Sequence, residues 1–147
     1  SGFLHDDINL LKWVIDSKIH EKNYKIFLKE HPILKIEKIK EFLNFFPSNF
    51  IVLKKNFIDS INIAETLICS GATSAITELV VLGKYCIIPK INPLDGLIFK
   101  KLNIKNNFTI LEDPLKLIEY IKGFKTKSYN KNNYFTKLSK KNINIFL

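Results

Sequence analysis

Apolar positions along this chain alternate between helical spacing and short continuous runs. Residues 5–22 carry Ile8, Leu11, Ile15 and Ile19 at helical spacing, widened by Trp13 and Val14, and predict a first helix with Asp6 and Asp7 in its first turn. Tyr24–Lys29 is a strand run that ends at Glu30-His31-Pro32, where proline interrupts pairing. Ile36–Phe46 predicts a second helix, with Ile36, Ile39, Phe42, Leu43 and Phe46 on one face and Pro47 as its stop. Strands are then expected at Phe50–Leu53, Thr66–Cys69, Tyr85–Ile88 and Phe108–Leu111. Between them lie a short helix over Ile58–Ala64, a helix over Thr73–Leu82 stopped by Gly83, a loop over Lys90–Asp95 and a short helix over Gly96–Leu102. Asp113-Pro114 starts a further helix running through Ile121 to Gly123, an acidic cap followed by proline at the first helical position.

Short strands, apolar on both faces and separated by helices, mark a parallel sheet covered on both sides. The expected fold is α/β: a doubly wound, Rossmann-like parallel sheet of about five strands with helices on both faces, over residues 1–123. Residues 124–147 are expected to form a basic linker and a C-terminal helix or arm. A ligand crevice in such a fold lies at the carboxyl ends of the strands. The most polar of those ends are Glu30-His31-Pro32 and Ser70–Ser74.

Charge separates the body from the tail. All 23 basic residues are lysine and the net charge is +9, yet residues 1–119 carry 16 lysines against 14 acids. Residues 120–147 carry seven lysines and no acid, a patch suited to an anionic membrane surface, nucleic acid or an acidic partner. Without arginine, sequence-specific reading of nucleic acid is not expected. No apolar run is long enough for a membrane span and no secretory pattern opens the chain, so the expected compartment is the cytoplasm, with the tail able to meet the inner membrane. Cys69 and Cys86 fall in strands and read as reduced core thiols, and His5, His20 and His31 have no metal-ligand spacing.

Two places carry candidate chemistry. Ser70-Gly71-Ala72-Thr73-Ser74 joins a strand to a helix, and its hydroxyls either cap that helix or, with its open N–H groups, hold an anion such as phosphate. The loop lacks the glycine pattern of a dinucleotide site and the lysine of a triphosphate loop. Glu78, one turn after Ser74, is placed to accept from ribose hydroxyls or is simply a solvated helix residue. His31, held extended by Pro32, can donate to a phosphate or serve its own turn. Lys90, Asn92 and Asp95 form a polar loop with no assignable role, and no nucleophile–base arrangement or carboxylate pair is visible.

In order along the chain, Lys29-Glu30-His31-Pro32, Ile63–Ser74, Glu78 and Gly83–Pro89 resemble the C-terminal, donor-binding half of GT-B glycosyltransferases. The likeness is to bacterial surface-carbohydrate and capsule enzymes, including users of CMP-activated sugars. It covers about Tyr24 to Ile121. The resemblance implies that His31 and Pro32 match the His-Pro motif, that Ser70, Thr73 and Ser74 match the hydroxyl loop around Gly71 and Ala72, and that Glu78 matches the ribose-binding acid. It implies a nucleotide-sugar donor, no metal and no other cofactor. It also implies an acceptor-binding N-terminal half, carrying the catalytic base, that this chain does not include; the catalytic residues are therefore not assigned. A chain without methionine fits either removal of an initiator before Ser1 or a piece of a longer protein. The other readings are a nucleotide-sugar 2-epimerase-like domain and a non-enzymatic basic module for polyanions.

Overall fold

A computed structural model of the chain describes residues 4–64, 66–71, 75–82, 84–93, 95 and 108–124. Helix α1 (Leu4–Asp16) buries Leu11, Trp13 and Val14, the stripe expected from its spacing. It ends earlier than periodicity alone predicts. The Ser17 hydroxyl donates to Val14 O at 2.6 Å and accepts from Ile19 N at 3.3 Å, so it takes a terminal carbonyl and starts the next turn. Lys18 then adopts a left-handed conformation (φ 57°), and a 3-10 turn over Ile19–Glu21 leads toward the first strand.

The expected strands all form: β1 (Ile26–Lys29), β2 (Phe50–Leu53), β3 (Thr66–Ile68), β4 (Tyr85–Pro89) and β5 (Phe108–Leu111). Their arrangement corrects the expectation of one five-stranded sheet. β1 pairs parallel with β2 alone, while β3, β4 and β5 form a separate parallel sheet with β4 in the middle. The expectation fails because apolar runs specify burial, not which strand lies beside which.

The helices between strands are α2 (Ile36–Lys40), α3 (Phe57–Ile61) and α4 (Ala75–Val81), and α5 (Leu117–Phe124) follows β5. α2 is half its expected length. Phe42 N and Leu43 N bond to Ile39 O and Lys40 O, three residues back, so the chain tightens and leaves the helix well before Pro47. Phe42, expected on the buried face, is 51% exposed. Asn56 caps α3 by accepting from Asp59 N at 2.8 Å, and Asp113 caps the 3-10 turn Pro114–Lys116 that opens into α5. The helix expected over Gly96–Leu102 and the tail beyond residue 124 lie outside the described residues.

Alternation along β4 shows both faces of the three-stranded sheet covered. Tyr85 and Ile87 point into a cluster with Leu11, Trp13 and Val14 of α1, Ile36 and Ile39 of α2, and Leu117 of α5. Ile88 packs with Ile76 of α4, and Cys86 with Leu79 of α4 and Ile61 of α3. All five β4 residues are buried, as a central parallel strand requires. The two-stranded sheet joins the first cluster through Phe50, Ile26, Leu28 and Val52. Its other face is more open, with Ile51 45% exposed. One apolar cluster therefore serves two sheets that share no ladder.

Trp13 fastens α1 to the far sheet. Its ring is buried, and its indole N–H donates to Glu112 O, just past β5, at 3.2 Å. Trp13→Phe keeps most of the packing but removes that hydrogen bond, and should lower stability by about 1 kcal/mol. Trp13→Ala also opens a cavity between the sheets and should cost about 3–5 kcal/mol. Urea denaturation of the two variants against wild type measures both.

Candidate functional site

Strand ends in a parallel sheet leave backbone groups without ladder partners, and the following loops must satisfy them. At the end of β3 the chain passes through Cys69 to Ser70, which is 6% exposed, and then Gly71. Cys69 N still donates to Ile87 O at 3.0 Å, so pairing with β4 holds the chain in line up to the loop. At the end of β4, Lys90 N donates to Leu111 O, and the chain turns through Asn92 and Pro93.

This second loop closes on Asp95. Its Oδ2 accepts from Ile91 N at 2.9 Å and Asn92 N at 2.7 Å, while Asp95 N donates to Asn92 O at 3.1 Å. The side chain is 7% exposed. It lies directly against Gly71: a Cβ placed on that glycine would stand 2.2 Å from Asp95 Oδ1 and 2.7 Å from Asp95 Cβ. Glycine at position 71 is thus required by the close approach of the neighbouring loop. Sequence reasoning named Asp95 but gave it no role. Its signal is modest: an acid three residues after Asn92, in reach of that turn's open N–H groups.

The Asp95 carboxylate changes the chemistry expected at Ser70–Ser74. An anion centred on Gly71 would meet a fixed negative charge, whereas a hydroxyl-bearing ligand would meet an acceptor. Ser70 and Gly71 are where the sequence puts them, at the carboxyl end of β3. Ala72, Thr73, Ser74 and Gly83 lie outside the described residues. Glu78 is exposed on α4, while Ile76 and Leu79 on that helix are buried.

His31 and Pro32 sit at the end of β1, in the other sheet. His31 is half-buried and its Nδ1 accepts from Ile33 N at 3.2 Å, which puts the ring proton of the neutral imidazole on Nε2. Pro32 is exposed. The turn is braced by the preceding residue: Glu30 accepts from Ile36 N, at the open start of α2, at 3.1 Å and from Lys35 Nζ at 3.3 Å. That backbone N–H, and then Lys35 and Lys29, hold the Glu30 carboxyl below its ordinary range against the opposing effect of burial.

The two thiols lie on β3's extension and on β4. Contact with the Cys69 thiol, and then burial, push the Cys86 thiol well above the ordinary thiol range, so it stays protonated and unreactive. Both cysteines are free. Lys90 and Glu112 form an exposed ion pair. Among the described residues no group of three or more His, Cys, Asp and Glu side chains is gathered as a metal site, and no helix is long and apolar enough to cross a membrane.

Comparisons with protein-family models, with curated proteins and with solved structures found no match.

Two outcomes test this geometry. Gly71→Ala should cost about 1–3 kcal/mol, because Asp95 cannot withdraw without releasing the Ile91 and Asn92 N–H groups; thermal unfolding reads it. Glu30 stabilises its turn while ionised, so with a depressed folded pKa its contribution is complete above the unfolded value and fades as pH falls through the folded one. Glu30→Gln should therefore cost about 1 kcal/mol near neutrality, and the gap between the two proteins should narrow as pH falls below the ordinary carboxylate range. An unchanging gap from pH 7 to pH 3 contradicts this role.

Proposed function

We propose that this chain is the donor-binding domain of a GT-B type glycosyltransferase acting in bacterial surface-polysaccharide synthesis, and that it takes a nucleotide sugar. The observation that carries the reading is the mouth at the carboxyl ends of β3 and β4. There a buried serine, a glycine with no room for a side chain, and a carboxylate fixed by two backbone N–H groups meet at one point. Parallel α/β sheets bind ligands at such strand ends.

In this reading Ser70, Thr73 and Ser74 donate to the donor phosphate, and His31 donates through Nε2–H. Asp95 braces Gly71 and keeps the phosphate toward the hydroxyls. Glu78, exposed and ionisable, takes the ribose hydroxyls. The leaving phosphate is met by hydroxyl and imidazole donors, which stabilise charge where it develops. The acceptor and the catalytic base belong to another domain, so the chain by itself binds the donor without turning it over.

Titration of the isotope-labelled chain with CMP, UDP and GDP tests this by NMR. Amide shifts at Ser70, Gly71 and Asn92 with one nucleotide are expected, and Ser70→Ala should weaken that binding about tenfold, the size of one hydrogen bond to a charged group. Silence at all three residues with every nucleotide overturns the reading. Salt-sensitive binding to any polyanion, unchanged by Glu78→Gln, would instead mark a basic binding module.

A further inference from the structure

The two-stranded sheet has two ends, and His31-Pro32 lies at its carboxyl end. At the amino end, the 3-10 turn Ile19–Glu21 leads toward β1, and the turn over residues 41–49 leads into β2. The second turn sorts its side chains in two directions. Leu43 and Phe46 pack on the core cluster, and Pro47 is fully buried. Phe42 and Phe45, each one residue before an anchor, face solvent and are 51% and 55% exposed. The turn is braced from below. The Phe46 ring meets the Phe50 ring edge-on at 5.6 Å, and Lys40 Nζ stands 4.3 Å over the Phe46 ring. Asn49 Nδ2 donates to His20 O at 3.0 Å, and the His20 and Phe45 rings lie 5.7 Å apart. These contacts join the two turns into one surface. Single exposed apolar residues are ordinary, but two phenylalanines held on one braced turn form a patch that gains by leaving water.

Charge says what covers it. Residues 18–55 hold nine lysines against four acids, whereas the rest of residues 1–119 holds seven lysines against ten acids. The positive excess of the body is thus confined to the unit that carries the patch. Lys18 and Lys22 flank the 3-10 turn and Lys38 and Lys40 precede Phe42, all four exposed. Glu21, Glu37 and Glu41 lie among them, while Glu30, the fourth acid, is taken up by Lys35 and Ile36 N. The partner must therefore be apolar within and negative at its surface. An anionic lipid bilayer is both, with acyl chains for the rings and headgroups for the lysines. The chain's own tail, with seven lysines and no acid, has the wrong sign. A single nucleic-acid strand takes a groove with open ring faces. Phe42 and Phe45 instead stand on a projecting turn, where Glu41, Asn44, Ser48 and Asn49 are exposed as well.

We infer that the protein docks on anionic lipid bilayers through the turn over residues 41–49. Phe42 and Phe45 enter the boundary between headgroups and acyl chains, and Lys18, Lys22, Lys38 and Lys40 meet the headgroups. Docking at the amino end of the two-stranded sheet sets the orientation of that sheet. β1 is four residues long, so His31-Pro32 stands about 13 Å further from the bilayer and stays open to solution. The docking surface shares no residue with the candidate ligand site. It does not rest on the donor-binding reading, and either can fail without the other.

Co-sedimentation of the 147-residue chain with lipid vesicles tests it. Binding is expected to vesicles of phosphatidylcholine containing about 30% phosphatidylglycerol, and not to phosphatidylcholine alone. The double variant Phe42→Ser, Phe45→Ser should bind about tenfold more weakly or worse, with thermal unfolding confirming that it is folded. Phe45→Trp reads the contact directly and does not depend on that variant folding. Its emission should shift to the blue on binding and be quenched by brominated acyl chains, while wild type, whose single Trp13 is buried, shows neither change. Four results overturn the inference. They are no binding to the anionic vesicles, an affinity that the folded double variant keeps, Phe45→Trp emission untouched by brominated lipid, and ring-dependent binding to single-stranded RNA in place of vesicles.

Discussion

A single apolar cluster holds two separate sheets together, and α1 is its keystone. Backbone pairing fixes β1 to β2 and β3 to β4 and β5, but among the described residues no ladder joins the two groups. What joins them is side-chain burial, with Leu11, Trp13 and Val14 of α1 packed into the cluster that takes Ile26, Leu28 and Phe50 from one sheet and Tyr85, Ile87 and Leu111 from the other. Such contacts are non-directional, so they set proximity without setting register. The indole N–H of Trp13 on the Glu112 carbonyl adds the directional contact that burial alone does not supply.

The strand pattern was legible because each run of apolar residues is short and bounded by Pro, Asn, Gly or charge. β2 and β5 appear with the expected limits, and β3 and β4 within one residue of theirs. Helix ends were less legible. Ser17 stops α1 through its hydroxyl, and the turns at Phe42 and Leu43 stop α2; both depend on local hydrogen bonds that hydrophobic periodicity does not encode. The division into two sheets was not legible at all, since Ile-Phe-Leu in β1 and Leu-Ile in β3 read the same whether the neighbour is another strand or open space.

The candidate site divides the same way. Ser70 and Gly71 were legible from a strand running into hydroxyls and glycine. The reason for the glycine was not, because Asp95 reaches it from a loop on the next strand and the two meet only in the folded chain. His31 was read either as a donor to a phosphate or as a residue of its own turn, and the structure shows the second part: its Nδ1 accepts from the Ile33 N–H.

The contact between Gly71 and Asp95 also constrains how this protein can change over time. A side chain at position 71 needs the space Asp95 occupies, and a smaller residue at 95 leaves the N–H groups of Ile91 and Asn92 without their acceptor. Neither substitution is neutral alone, and the second does not simply repair the first. The two positions therefore form one inherited unit: descendants should retain both residues or replace both together with a rebuilt turn. In a diverging lineage that linked pair is a more durable marker of this fold than the hydroxyls around it.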